Sequence, residues 1–255
     1  MKEPFVVLIT GATGGIGSAL AKVYAEENAT LILQGRNLEK LDELDIECSA
    51  LGARVITKVL DLRERELFST WLSQVSEQEA IDLVIVNAGV NINIGENREG
   101  ESWQDAQGLV DINIVAAMAT VHGVLPEMRK RRKGQIALIS SLAAYYGLPI
   151  TPSYCASKAA IKAYGESLRG WLRAEGIRVN VVMPGYVESK MCTDMPGPKP
   201  FLWTADKAAR TIRKGLERNQ ARISFPFPLN FGTWFLAVMP AKASEWILRK
   251  LNYAG

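Results

Sequence analysis

Cysteine and histidine are scarce in this chain. The three cysteines, Cys48, Cys155 and Cys192, are spread through 255 residues with no closely spaced pair among them. An odd, dispersed set argues against a disulfide framework and a zinc site, and it points to a reducing, cytoplasmic setting. No metal is expected. Cys155 reads as a small buried filler rather than a nucleophile, and the single histidine, His122, as a helix residue rather than a catalyst. Charge of one sign is also lacking: a net +3, widely dispersed, gives no nucleic-acid surface. The one basic run, Arg129 to Lys133, falls where a helix should stop, and cations there complement the helix dipole. No low-complexity tract, charged linker or internal repeat divides the chain, so residues 1–255 are expected to form one domain. The first strand-like run begins at residue 5, which leaves no room for a signal peptide, and no uncharged apolar run is long enough to span a bilayer as a helix.

What is present is an alternation. Short apolar, β-branched runs recur at 5–10, 30–34, 54–59, 82–86, 135–140 and 177–183. Helical periodicity fills the gaps at 16–27, 38–51, 63–77, 102–132 and 153–175. Strands and helices in this order make a parallel sheet with right-handed crossovers and helices on both faces. Ligands in such a sheet sit at the carboxyl ends of the strands.

The first strand runs into Gly11-Ala12-Thr13-Gly14-Gly15-Ile16-Gly17 and then into a helix. Glycines there let the backbone approach a pyrophosphate, while the helix N-terminus presents N–H groups and a positive dipole end. The sequence is read as a dinucleotide cradle, one residue wider between Gly11 and Gly15 than the usual fingerprint. Tyr154 and Lys158 lie four residues apart, on one face of a helix. A free phenol titrates near pH ~10, and a neighbouring cation favours the phenolate. Bringing it near neutrality takes about three units, or roughly 4 kcal/mol.

These segments, with Val86-Asn87-Ala88-Gly89, Asn113, Ser141 and Pro184-Gly185, fall in an order that resembles the short-chain dehydrogenase/reductase family, short-subunit branch. The resemblance spans about residues 5 to 224 and implies a single-domain Rossmann-type doubly wound α/β fold. It also implies roles. Tyr154 would pass a proton to or from the substrate oxygen, and Ser141 would stabilise charge on that oxygen. Lys158 would lower the pKa of Tyr154 and bind the nicotinamide ribose, and Asn113 would hold a water linking Lys158 to solvent. A hydrogen-bonded buried amide is the other reading of Asn113. Ser140 is read as structural. Asp61 and Leu62 would meet the adenine, and Val187 and Ser189, past Pro184-Gly185, the carboxamide.

Cofactor choice is read after the second strand. An acidic residue there accepts from a ribose 2′-hydroxyl, but Gly35 takes that place and Arg36 follows. A guanidinium matches a 2′-phosphate, so NADP(H) is expected, with NAD(H) not excluded if Arg36 is an ordinary loop residue. The reaction expected is carbonyl reduction or secondary-alcohol oxidation on an apolar substrate. Met191, Met195, Phe201 and Trp203 in the 186–203 loop, with Tyr145 and Tyr146, are candidates to line its pocket. The alternatives are a non-catalytic nucleotide-binding regulator and an NAD-dependent alcohol dehydrogenase. Apolar positions on the 102–132 and 153–175 helices exceed what one sheet face needs, so a homodimer or homotetramer is expected.

The family pattern leaves the C-terminal extension, 225–255, unexplained. Phe225, Phe227, Phe231, Trp234, Phe235, Trp246 and Tyr253 fall there, and Phe225 to Ala241 carries no charge. The extension must be covered by the substrate cleft, a partner subunit or a membrane surface. Its last segment has apolar and basic residues mixed as in an interfacial helix, so peripheral membrane contact through 225–253 is one expectation.

Overall fold

A run of five apolar or hydroxylic residues flanked by polar turns gives β1, Val6–Thr10, buried along its whole length. The computed structural model describes residues 5–95 and 97–251. Five further expected runs form β2 (Thr30–Gly35), β3 (Arg54–Val59), β4 (Leu83–Val86), β5 (Gly134–Ile139) and β6 (Ile177–Pro184). All pair in parallel, and a seventh strand, β7 (Arg222–Phe225), completes the order β3-β2-β1-β4-β5-β6-β7. The central strands are apolar at nearly every position because both sheet faces are covered.

Alternation along each strand sorts the core into two layers. Val7, Ile9, Leu31 and Leu33 face one side, packed by α1 (Gly15–Ala25), α2 (Leu38–Ala50) and α8 (Ala205–Glu217). Leu8, Ile32, Val84 and Leu138 face the other, packed by α3 (Arg65–Gln78), α5 (Ala117–Arg131) and α6 (Pro152–Leu172). Helix α8 and strand β7 are absent from the expectations above. The buried stripe of α8 is Ala208, Ala209, Ile212, Gly215 and Leu216, one face at helical period.

The 102–132 helix is one continuous rod with a change of winding. It comprises α4 (Trp103–Val110), a π-helical turn at Asp111–Ala116 and α5. By length and composition Trp103–Arg131 is apolar enough to cross a membrane when charged residues are allowed within it. Here half of its apolar window is buried in the protein. The basic run ends this rod, where Arg129, Lys130 and Lys133 pair with Glu175, Glu127 and Asp82. Short helix α7 (Lys190–Asp194) lies inside the 186–203 loop, whose ends are tied by backbone bonds between Glu188 and Trp203 and between Trp203 and Tyr186. Two more helices, α9 (Leu229–Val238) and α10 (Ala241–Lys250), follow β7. Tyr253 lies outside the described residues.

Candidate active site

The strand order reverses between β1 and β4, where successive crossovers leave in opposite directions and open a crevice at the carboxyl ends. The crevice is a cleft of about 1000 Å³. Part of its wall is the glycine turn. Gly11 has φ of +63°, and a Cβ there would come within 2.7 Å of the Ala88 backbone, so only glycine fits. Gly15 is equally tight: its Cβ would lie 2.6 Å from the Glu188 carbonyl and 2.9 Å from Ser189. Thr13, Gly14, Gly15 and Ile16 line the cleft, and α1 begins there with no side-chain cap. Room for close approach and the free N–H groups of a helix N-terminus fit a pyrophosphate. Gly17 is not on the wall. It is buried, and a Cβ would strike Gly11 O at 2.5 Å and Asn87 Nδ2 at 2.8 Å, so it lets α1 sit against the loop.

Buried side chains hold this loop from behind. Gln34 accepts from Gly11 N (3.0 Å) and donates to Leu60 O (2.7 Å). Asn87 donates to Thr10 O and Gly11 O, and the Thr10 hydroxyl accepts from Asn87 N. Asn87, Ala88 and Gly89 line the cleft beside it. Gln34 and Thr10 were not singled out from sequence, because a polar side chain in an apolar strand reveals no target.

Beside the glycine turn, where Gly35 packs against Thr13, Arg36, Asn37 and Lys40 border the cleft with Asp61 and Leu62. Asn37 caps α2 by accepting from Lys40 N (2.8 Å), which places both cations at a helix N-terminus. Anion attraction sums there. Lys40 was missed because it falls inside the helical pattern. The Asp61 carboxylate accepts hydrogen bonds from Arg63 (2.6 Å), which hold it below the usual carboxylate range, and Arg36 lies 4.0 Å away. Asp61 is thus held by Arg63 at the cleft wall.

Tyr154 and Lys158 stand one turn apart on α6, at the cleft floor. The Tyr154 phenol is hydrogen-bonded to Ser141, whose Oγ also accepts from Ala143 N (3.1 Å). Lys158 Nζ lies 5.6 Å from the centre of the Tyr154 ring and donates to Ile139 O (3.0 Å). Burial pushes the phenol up to about 12, against the opposing hydrogen bond from Ser141. Burial pulls the Lys158 ammonium down to about 8. In the protein alone, desolvation is the largest influence on the phenol. Ser140 is structural, donating to Lys158 O (2.7 Å). Cys155 is buried, with its thiol pushed up by burial.

Asn113 takes the form of the hydrogen-bonded buried amide, behind the cleft wall as Gly17 is. It lies in the π-helical turn, buried, and does not line the cleft. Its amide donates to Val90 O (2.9 Å) and Ser157 Oγ (3.0 Å), and its Oδ1 accepts from Val90 N (2.8 Å). It clamps the chain after Gly89. A Cβ on Gly89 would lie 3.3 Å from both Asn113 Oδ1 and Lys158 Nζ, so this clamp backs the lysine pocket directly.

Pro184, Gly185, Val187 and Ser189 reach the cleft from the end of β6. The Ser189 hydroxyl is engaged in capping α7, accepting from Cys192 N (3.1 Å). Met191, Met195 and Tyr146 line the cavity. Tyr145, Phe201 and Trp203 do not, and Trp203 instead stacks on Phe225 at 5.0 Å. The outer wall comes from the extension: Leu229, Gly232, Thr233 and Leu236 of α9 with Ile247 and Leu248 of α10. Among the described residues no cluster of histidine, cysteine or carboxylate side chains could hold a metal ion.

This site can be set beside known proteins. A protein of Myxococcus xanthus described as an uncharacterized oxidoreductase is 34% identical over 246 residues, 96% of either chain. A 3-oxoacyl-(acyl-carrier-protein) reductase of Thermotoga maritima is 33% identical over 195 residues, covering 76% of this chain and 78% of that one. A solved short-chain dehydrogenase from Sphingobium yanoikuyae in complex with NADPH superposes with a TM-score of 0.82 over 98% of both chains, at 22% identity. The sequence pattern of the short chain dehydrogenases matches residues 5–198, from β1 to the loop beyond α7. With the parallel sheet and its glycine-lined crevice, that match makes the chain a member of the short chain dehydrogenase family and an oxidoreductase.

Proposed function

We propose that the protein is an NADP(H)-dependent oxidoreductase that interconverts a ketone and a secondary alcohol on an apolar substrate. One observation carries this: the Ser141–Tyr154–Lys158 group, the glycine turn and the Arg36–Lys40 cations all line one cleft. Glycines with no room for a Cβ, an uncapped helix N-terminus and paired cations suit a phosphorylated dinucleotide. When bound, NADP(H) supplies or accepts the hydride. Tyr154 gives its hydroxyl proton to the substrate oxygen as the carbon is reduced, and takes one from the alcohol in reverse. The Ser141 hydroxyl offers a hydrogen bond to the same oxygen, where negative charge develops. Lys158 provides the cation behind the phenol and, through Ile139 O, is fixed to the end of β5. A non-catalytic regulator would not need Ser141 and Tyr154 hydrogen-bonded beside an open cleft. The deciding experiment is oxidation of NADPH, with NADH in parallel, against ketones, aldehydes and 3-oxoacyl thioesters. No turnover of any of these would defeat the reading.

Arg36→Ala should weaken NADPH binding by roughly tenfold to a hundredfold, the worth of about one charge-assisted hydrogen bond, and leave NADH little changed. Competition binding measures it, and equal losses for both would mean that Arg36 does not read the phosphate. Adding Gly35→Asp, to create a 2′-hydroxyl acceptor, is less simple. A Cβ there comes within 3.1 Å of Thr13 Cγ2 and 3.3 Å of Leu41, so the glycine loop must yield slightly.

The apolar character of the substrate rests on the α9–α10 wall. Gly232 sits on that wall in mid-helix, where glycine costs about 1 kcal/mol relative to alanine. A Cβ there meets nothing within 4 Å, so neither packing nor φ requires glycine, and what its absence of side chain provides is space. Gly232→Phe should lower kcat/KM for long-chain ketones by about tenfold, the scale on which apolar pockets discriminate size, and spare short ones. An unchanged chain-length profile would remove α9 from the substrate site. For the assembly, we propose the homo-oligomer expected from the helices. Trp103, Val110 and Trp171 remain exposed on α4 and α6, and light scattering reads the stoichiometry.

A further inference from the structure

The outer face of the extension is more apolar than a water-facing helix should be. Phe231, Trp234, Phe235 and Val238 recur at i, i+3, i+4 and i+7 on α9, and they are 55%, 41%, 46% and 59% exposed. The rings touch one another: Phe231 is tilted against Trp234 at 5.7 Å and stacks on Phe235 at 6.1 Å. Phe227, just before the helix, is 78% exposed. A contiguous patch of this kind marks a docking surface.

The neighbouring helix says what docks. On α10, Lys242, Trp246 and Lys250 form one stripe at i, i+4 and i+8, with Trp246 61% exposed and Lys250 Nζ 6.0 Å from its ring. Arg249 is exposed beside them, and Glu245 is the single carboxylate among the described residues from 225 onward. An aromatic flanked by cations, next to an uncharged aromatic helix, fits the headgroup layer of an anionic bilayer. Self-association through this face would set the cations of α10 against their own copies across a two-fold axis, which like charges oppose. Helix α9, at ten residues, is too short to cross a bilayer and suits lying flat in its surface.

The patch is also continuous with the cleft. Phe235 and Leu251 line the cavity and are 46% and 55% exposed, so both stand at its mouth. We propose that the α9–α10 hairpin docks the protein on an anionic lipid surface with the mouth of the cleft facing the headgroups, so that an apolar substrate enters from the membrane. The docking stands apart from the reading of the chemistry, because it is measured without turnover.

The test is flotation of the full chain with vesicles of phosphatidylcholine alone and of phosphatidylcholine with phosphatidylglycerol in equal parts. The intact protein should float with the anionic vesicles and be released by salt, an arm that requires no variant. Lys242→Glu with Lys250→Glu should lower binding by roughly thirtyfold or more, the worth of about two cations near an anionic surface. Phe231→Ser with Trp234→Ser should abolish it. None of these four side chains lines the cleft, so both double variants should keep wild-type turnover of a short, soluble ketone. Three results would overturn the proposal: intact protein that floats with neither vesicle, equal flotation with both, or flotation indifferent to both double variants. If light scattering shows the aromatic pair dissociating an oligomer in protein that never floats, the patch is a contact between copies.

Discussion

Tyr154→Phe should fold, bind NADPH as the intact protein does, and turn over its substrate about a hundredfold to ten-thousandfold more slowly, the usual worth of positioned acid–base catalysis. Phenylalanine keeps the ring on α6 over the cleft floor and removes only the hydroxyl that is hydrogen-bonded to Ser141. The loss should fall on kcat, because the missing proton transfer belongs to the transition state. Fluorescence titration with NADPH and steady-state kinetics together check it. A variant with near-normal kcat would dismiss Tyr154 as the proton donor, and one that no longer bound NADPH would give it a different role. Burial contributes a directional effect as well. It holds the phenol in its neutral form through the neutral range, the form that donates to a carbonyl oxygen. Alcohol oxidation, which starts from the phenolate, should therefore accelerate as pH rises.

Lys158→Met should be more stable than the intact protein at neutral pH and almost inactive. The ammonium is buried and its pKa falls to about 8 through desolvation, from an ordinary value of 10.5. That difference corresponds to roughly 3 kcal/mol against folding, partly offset by the hydrogen bond to Ile139 O. The sign follows from proton counts. Below pH 8 folded and unfolded chains both carry the proton, and the burial cost is present in full. Between 8 and 10.5 the unfolded chain holds more protons, so stability rises with pH as the cost is relieved. Thermal melts of both proteins should show methionine ahead by several degrees at neutral pH, with the gap closing as the solution is made alkaline. A lower Tm for the variant at neutral pH would mean that the lysine supports the fold. Retained turnover would mean that it supports nothing else. A site that costs stability and is needed for activity is the expected form of a functional compromise.

Much of the site was legible in the sequence for a definite reason. Chemistry that depends on short-range spacing survives in one dimension: the glycines of 11–17 at a strand-to-helix turn, and Tyr154 one helical turn from Lys158. Gly17 and Asn113 stand behind the cleft wall, a placement that spacing along the chain does not give. Gly17 makes room for Asn87, and Asn113 ties Val90 and Ser157 together from behind. Asp61 was placed at the correct strand end, where Arg63, two residues on, holds its carboxylate. Helix α8 was overlooked although Ala208, Ala209, Ile212, Gly215 and Leu216 recur on one face with helical period.

The linear order of residues by itself determined the parallel sheet, the crevice at its switch point and the Tyr154–Lys158 pair, since each follows from hydrophobic period and local spacing. Three matters were left to the tertiary structure. It brought Arg36, Asp61 and Lys40, from two strand ends and a helix, to the wall of one cleft. It set the balance at the active tyrosine, because desolvation depends on what surrounds a group and no spacing encodes it. And it folded α9 and α10 back over the cavity, giving Gly232 and Leu236 to the substrate wall and Phe231, Trp234 and Trp246 to the outside. An aromatic-rich tail without charge must be covered, but which of its faces turns inward is decided only by the surface that it meets.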